Sequence, residues 1–333
     1  MDGPLVLLAI VVVLGLAFEF VNGFHDAANA IATIVATRVL APRVAVLMAG
    51  TLNLVGALSG TAVATTIGKE LVDPSAITLT TVAVALFSAI IWDLFTWYLG
   101  LPTSSSHALL FGTLGAAVAT AGTSVVLLGG LSKVGAGILY SPLIGLLGGM
   151  LIMFIIIWAF HRARHEFVST LFGRLQVVSS AYMAFSHGSN DGQKTMGILA
   201  LALFTSGLLG PTFYIPVWVM VASAAAMGVG TALGGWRIIK TMGFRMVQLQ
   251  PVHGFAAETA AGTVIEVATR LGMPISTTHA ISGAILGVGS LRGVKQVRWN
   301  VAAEIATAWV LTIPACFVLG WAMMMLVRLV GVR

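Results

Sequence analysis

The chain has 333 residues, of which 58% are hydrophobic and only 8% are charged, and its mean hydropathy is +1.01. A soluble protein carries roughly a quarter charged residues, so this composition excludes an ordinary soluble domain. The net charge of +6 is explained by basic cytoplasmic loops of a membrane protein, and we expect no nucleic-acid partner.

Apolar runs of about twenty residues recur along the chain, and each is long enough to cross the hydrocarbon core of a bilayer. In chain order, the spans of the first half are predicted near 4–36, 43–67, 77–100, 102–122 and 142–160. Those of the second half are predicted near 177–205, 213–235, 250–271, 275–291 and 300–328. The sequence therefore predicts an all-α polytopic membrane protein with ten to twelve helical elements in the lipid bilayer.

The polar stretch 161–176 divides the chain. It predicts a first repeat in residues 1–160, a cytoplasmic linker at 161–176 and a second repeat in 177–333. With both termini outside, 11 Lys and Arg residues fall inside and 5 outside, as the positive-inside rule requires. Each half then has an odd number of crossings, which predicts two inverted-topology repeats of about five to six helices, in a multi-pass protein of the cell membrane.

An acidic motif closes the first span of each half. Residues 22–29 read Asn-Gly-Phe-His-Asp-Ala-Ala-Asn, and residues 187–194 read His-Gly-Ser-Asn-Asp-Gly-Gln-Lys. Glycine and asparagine weaken a helix, so we expect both helices to be broken here, and a buried carboxylate to face a cation, a cavity or a partner. The candidate ligands of a coupling cation, sodium or proton, are Asp26, Asn29, Asn190 and Asp191. A helix cap or an interhelical salt bridge is the structural alternative.

Two further polar residues extend this prediction. Lys194 occupies the slot of Asn29, and it either pairs with an aspartate or contacts an anionic substrate directly. Glu258, which lies near His253 in an Ala/Gly-rich helix, is a further candidate for coupling to a cation or proton.

A second motif follows about eighty residues after the first. It reads Pro-Thr-Ser-Ser-Ser-His at 102–107 and Pro-Ile-Ser-Thr-Thr-His at 274–279. Proline favours the first position of a helix, which places the hydroxyls in the first turn beside free N–H donors. Two such termini meeting at the midplane, in re-entrant hairpins, would hold a tetrahedral oxyanion with neutral donors. The predicted anion ligands are Ser104, Ser105, Ser106, Ser276, Thr277 and Thr278; helix capping alone is the alternative.

A histidine ends each hydroxyl run. His107 and His279 either relay protons or donate a hydrogen bond to a carbonyl between helices.

These four phrases, in this order and spacing, resemble the inorganic phosphate transporter (PiT) family. The resemblance implies a secondary transporter for inorganic phosphate driven by sodium or protons, built from inverted repeats with external termini and assembled as a homodimer. It implies cation sites at Asp26, Asn29, Asn190 and Asp191, phosphate at the hydroxyl runs, and no cofactor beyond the coupling ion. The chain departs from larger members in its short central loop, which makes regulation through that loop unexpected, and in having His25 where the second copy has Asn190.

Three alternatives stay open from the residues. A permease of the same architecture could move sulfate, because neutral donors suit both oxyanions. An intramembrane hydrolase could use Ser, His and Asp, although catalysis needs one triad rather than two related sets. A passive anion channel would leave the buried aspartates without a role.

Overall fold

The computed structural model describes residues 3–331, which form thirteen α-helices, short 3-10 turns and no β-strand. The helices of the first half are α1 Gly3–His25, α2 Ala27–Ala36, α3 Pro42–Ala57, α4 Ala62–Glu70, α5 Leu79–Leu99, α6 Ser105–Ala121 and α7 Leu128–Phe160. Those of the second half are α8 His165–Thr205, α9 Val217–Leu233, α10 Trp236–Lys240, α11 Pro251–Arg270, α12 Thr277–Arg292 and α13 Trp299–Leu329. A π-helical turn, Thr241–Arg245, continues α10. The all-α prediction is confirmed.

The order of elements recurs in the two halves. Helix α8 occupies the place of α1 and α2, and a bent pair follows in each half, with α3 and α4 at 64° and α9 and the α10 segment at 56°. The packing is reciprocal: α6 lies on α13 while α12 lies on α7, and α1 lies on α9 while α3 lies on α8. The recurrence supports two repeats, and their inverted orientation stays a prediction.

The halves are interlocked rather than packed as separate globules. One core cluster joins Ile31 of α2 to Ile281 of α12, and a second joins Leu109 of α6 to Leu199 of α8. Each cluster therefore needs both halves in order to exclude lipid and water from its centre.

By length and composition, four stretches of the described chain are helices able to cross a membrane, and the two bent pairs raise the number to six. The four are Pro4–Ala36, Leu79–Leu99, Leu128–Phe160 and Trp299–Leu329. Helices α6, α8, α11 and α12 are shorter or more polar than these, because they carry the candidate site residues. Several apolar helices thus make this a multi-pass membrane protein.

Three boundaries differ from the prediction. Only residues 161–164 of the expected linker are non-helical, because α8 begins at His165 and buries Phe172 between Phe160 and Phe255, with ring centroids 5.4 and 5.2 Å away. Helix α8 also continues unbroken through 187–194, whereas the first copy breaks at Asp26. Helix α7 begins at residue 128 and keeps a proline inside it. The chain termini, predicted outside, lie beyond the described residues.

The proline of each hydroxyl motif does not open its helix. Gly100 at φ 69° and Gly272 at φ 65° follow the ends of α5 and α11 in the left-handed region, which favours glycine. An extended link carrying Pro102 or Pro274 comes next, and α6 and α12 begin three residues later. The physical reason is that a serine, rather than the proline, caps each helix.

Candidate functional site

The candidate site lies where α2, α6, α8 and α12 meet. Its side chains are almost completely shielded: Asp191 is 0% exposed, and Asp26 and Lys194 are 2% exposed. Buried charges of this kind need partners, because transfer from water costs several kcal/mol per ion. The partners come from both halves of the chain, so neither half forms the site alone.

Lys194 lies at the centre of this network. Its ammonium donates to Asp191 Oδ1 and to the hydroxyl of Ser106. Its third donation, over 2.8 Å, goes to the carbonyl of Ile275. The second carboxylate oxygen of Asp191 accepts a hydrogen bond of 2.9 Å from Thr277. All three ammonium protons are therefore used, and Lys194 ties α8 to the beginnings of α6 and α12.

Asn29 links the first acidic motif to the second hydroxyl motif. Its Nδ2 donates to the hydroxyls of Thr277 and Thr278 over 3.2 and 3.0 Å. The residues lie about 250 positions apart in sequence, and the prediction did not pair these two motifs. The tertiary structure thus crosses the motifs between halves.

Asp26 sits at the break between α1 and α2. His25 Nδ1 donates to its Oδ1 over 2.7 Å, and His25 Nε2 lies 3.1 Å from the hydroxyl of Thr96 on α5. The break exists because residue 26 leaves helical geometry at φ −91°, ψ 4°. The first aspartate is therefore held by a histidine of its own motif, as Asp191 is held by Lys194.

The two aspartates also approach a second histidine. Ligand atoms of Asp26, His187 and Asp191 all lie within 4.8 Å of one another, and His187 Nε2 is 3.4 Å from Asp191 Oδ2. Carboxylate oxygens suit a hard cation, whereas an imidazole suits transition metals or a proton. Sequence reasoning gave His187 no definite role; its signal was its position four residues before Asp191.

Asn190 turns away from this cluster. Its Nδ2 donates to the hydroxyl of Thr269 over 2.8 Å and to the carbonyl of Met273 over 3.3 Å. Its buried Oδ1 has no hydrogen-bond partner in the described chain. The observed contacts anchor the end of α11, and a cation-binding role for Asn190 stays a prediction.

The hydroxyl groups within each run have different hydrogen-bond partners. Ser104 Oγ accepts from the His107 backbone N–H over 3.3 Å, and Ser276 Oγ accepts from that of His279 over 3.2 Å, so both are helix N-caps. Ser105 Oγ instead lies 3.5 Å from His25 Nδ1. Their phosphate-binding role stays a prediction, and it is best supported for Ser106, Thr277 and Thr278, which contact Lys194 or Asn29.

His107 and His279 pack against each other. Their ring centroids are 4.7 Å apart and nearly perpendicular, and His279 stacks on Trp309 at 3.9 Å. Neither ring nitrogen of His107 has a hydrogen-bond partner in the described chain. A proton relay needs a hydrogen-bonded path, so these contacts favour a packing role.

Glu258 belongs to a separate buried cluster between α2, α8 and α11. Its oxygens accept from the hydroxyls of Thr33 and Ser179, the latter over 2.5 Å, and from the amide of Gln176 over 3.4 Å. Sequence reasoning named the acid and missed its three partners. Their only signal was a polar residue in an apolar helix, which is too common to single out.

Comparison with known proteins agrees with this geometry. Residues 22–320 match the model of a family described as the phosphate transporter family. A probable low-affinity inorganic phosphate transporter of Rhizobium meliloti is 46% identical over 310 residues, covering 93% of each chain. One of Bacillus subtilis is 43% identical over 322 residues, covering 96% of this chain and 97% of the relative.

A solved structure described as the sodium-dependent phosphate transporter has the same fold. It superposes with a TM-score of 0.91, is 24% identical, and the match covers 98% of this chain and 100% of that one. Because the family model and the relatives cover nearly the whole chain, the protein belongs to the phosphate transporter family and is a transporter rather than an enzyme.

Proposed function

We propose that the protein is a secondary active symporter that takes up inorganic phosphate together with protons. The observation that carries the proposal is the crossed contact of the two halves, in which Asn29 meets Thr277 and Thr278 while Lys194 joins Asp191 to Ser106. Acids and anion donors thus share one buried network, which suits the binding of a cation and an anion in the same event.

Phosphate would bind among the donors that now satisfy one another. Asn29 Nδ2, the hydroxyls of Ser106, Thr277 and Thr278, and the Lys194 ammonium all belong to this network. A phosphate oxygen accepts hydrogen bonds better than a hydroxyl does, so the anion can replace these mutual bonds. With a single ammonium and otherwise neutral donors, the site can also release its substrate.

The proton is favoured as the coupling ion by the state of the two aspartates. Asp26 is paired with His25 and Asp191 with Lys194, so each site carboxylate already has a basic partner on its own motif. Lys194, which occupies the slot of Asn29, provides a fixed positive charge that balances Asp191. No metal ion is then needed to balance that carboxylate. A proton carried by the Asp26 and His25 pair would complete the coupling.

Sodium is the second candidate, on one observation. The three ligand atoms of Asp26, His187 and Asp191 within 4.8 Å of one another are close enough to share a small cation, and the solved relative is named sodium-dependent. In either case Glu258 and its hydroxyl partners are proposed as an accessory cation or proton site.

Uptake into proteoliposomes tests both ions and the transport mode. Labelled phosphate should accumulate when an inward proton gradient is imposed in sodium-free buffer, and a sodium gradient at equal pH should add little. Accumulation that occurs only with a sodium gradient would show that sodium, and not the proton, is the coupling ion. Equilibration without accumulation would identify a passive channel, and stronger inhibition by sulfate than by unlabelled phosphate would overturn the substrate assignment.

We further propose a homodimer in the cell membrane with both termini outside. The proposal rests on the family resemblance and the distribution of basic residues. Mass measurement in nanodiscs and labelling of single cysteines added at the two ends of the chain, from outside intact cells, test the two parts separately.

A further inference from the structure

A surface cavity of about 350 Å³ lies away from the transport site. Its wall includes Ala36, the last residue of α2, and Arg292, the last residue of α12, together with Gln248, Gln250 and Arg298. Among the described residues that line it there is no aspartate or glutamate. Two guanidinium groups therefore share one concave surface without a carboxylate to balance them.

One of the two arginines is held by the backbone of the cavity wall. Arg292 Nη1 donates to the carbonyl of Gln248 over 3.3 Å, which holds the guanidinium against the wall. Gln248 directly follows the bridge between Val247 and Val297, so the backbone that holds Arg292 belongs to the contact that forms this corner. The guanidinium group presents a planar fork of N–H donors that binds two oxygens of a phosphate group.

The matching corner of the first half forms the same backbone contact without arginines. Each half has one isolated β-bridge, Val72 with Val126 and Val247 with Val297. After the first bridge come Asp73 and Leu127, whereas after the second come Gln248 and Arg298. Hydrogen bonds from Ser75 lower the pKa of Asp73, so the first corner carries a negative charge. The same backbone contact thus forms with opposite charge.

Basic residues near membrane spans also set topology. That role requires neither a cavity nor an arginine held by a backbone carbonyl. Nearby Arg245 already pairs with Glu304 at 3.8 Å, whereas no ion pair within the described residues involves Arg292 or Arg298. The two unpaired arginines are the ones that line the cavity.

We propose that this cavity is a second anion site, which binds a phosphate group on Arg292 and Arg298. The ligand is inorganic phosphate or a small phosphomonoester in solution, or the phosphate of an anionic lipid headgroup. Because the cavity joins the ends of α2 and α12, its ligand contacts both helices that carry Asn29 and Thr278. The inference goes beyond the proposed symport, and its test rests on the proposed function only in counting the phosphate of the transport site as the first of two.

The test is the stoichiometry of labelled inorganic phosphate bound to the purified full chain in nanodiscs of phosphatidylcholine. We expect the wild type to bind two phosphates per chain and the double variant Arg292→Gln/Arg298→Gln to bind one. In the double variant the affinity of the cavity for phosphate should fall by at least about tenfold. The control Arg162→Gln/Arg164→Gln removes the same charge from a loop outside the cavity and should keep two.

Adding phosphatidylglycerol to the nanodiscs separates the two sources of the ligand. If the lipid headgroup is the occupant, it displaces the second phosphate from the wild type; if soluble phosphate is the occupant, two remain bound. In phosphatidylcholine, a double variant that binds as many phosphates as the wild type would overturn the proposal, whatever the transport site binds. The variant Asp191→Asn measures the transport site separately, because it should lose the phosphate bound there and keep the phosphate bound in the cavity.

Discussion

The two copies of the acidic motif hold the same aspartate in different ways. In the first copy the helix breaks at Asp26, and His25 donates to its carboxylate. In the second copy α8 runs on without a break, and Asp191 accepts from Lys194 one turn further along the same helix. The duplicated motif has thus produced one aspartate at a helix break with a histidine partner and one aspartate within a continuous helix with a lysine partner.

This difference shows how a symmetric pair of motifs can carry unequal chemistry. Asn29 and Lys194 occupy the same slot, and each contacts the hydroxyl run of the opposite half. The neutral amide leaves the charge of Asp26 to its histidine or to a cation, whereas the ammonium balances Asp191 in advance. Substitutions that equalise the two copies therefore test what the asymmetry does.

The largest effect is expected from Lys194→Met. It leaves the buried Asp191 carboxylate without its ion pair, which costs about 3–5 kcal/mol, and uptake should fall by about 100-fold or more. The matched control is Lys133→Met, which breaks an exposed pair with Glu70 and should cost at most about 1 kcal/mol. Uptake and thermal unfolding in detergent measure both, and equal losses in the two variants would contradict a central role for Lys194.

Lys194→Asn makes the second slot identical to the first. If the ammonium stands in for a cation, the variant should regain part of the lost uptake when sodium is supplied, whereas Lys194→Met should not. Uptake at matched pH with sodium or choline chloride is the measurement. Recovery that does not depend on the cation would mean that Lys194 has only a structural role.

Asp26→Asn and Asp191→Asn test whether the copies form one site. Because the described contacts join both motifs in one network, each single change should lower uptake by at least about tenfold. Asp191→Asn should also destabilise the fold by leaving Lys194 uncompensated, and Asp191→Asn/Lys194→Met should restore unfolding temperature without restoring uptake. Normal uptake in either single variant would show that the copies work independently.

The close packing of the motif helices is tested at glycine. A Cβ on Gly188 would lie 2.6 Å from Asn53 Cα, whereas one on Gly173 of the same helix meets nothing within 4 Å. We expect Gly188→Ala to destabilise by about 1–3 kcal/mol and Gly173→Ala to stabilise by about 0.5–1 kcal/mol. Thermal unfolding of both variants measures the two effects. If Gly188→Ala is as stable as Gly173→Ala, α3 and α8 can move apart without a loss of stability.

The smallest effect concerns the two caps. Ser104→Ala and Ser276→Ala should each cost about 1 kcal/mol, and the glycine variants only a few tenths, because both serines cap their helices in the same way. If either serine instead binds phosphate, its alanine variant will raise the KM for uptake with little change in unfolding temperature.

The sequence by itself determined the class of protein, the two related halves and the identity of the polar residues. Uninterrupted apolar runs require a membrane, and polar residues at matching positions within them require partners, so Asp26, Asp191 and Lys194 could be named in advance. Helix boundaries were less certain. The proline-opened helices and the break in α8 were wrong, and α8 begins earlier than expected, because capping by Ser104 and the burial of Phe172 depend on packing.

Only the tertiary structure decided which residues meet. Three contacts join segments that are far apart in the chain. They are the pairing of Asn29 with Thr278, the hydroxyls and the amide around Glu258, and the corner shared by Arg292 and Arg298. Periodicity and local motifs describe neighbours along a helix, whereas these contacts follow from how the two halves interlock. The physical reason is that burial forces each polar group to find a partner in space, and a single sequence does not specify which one.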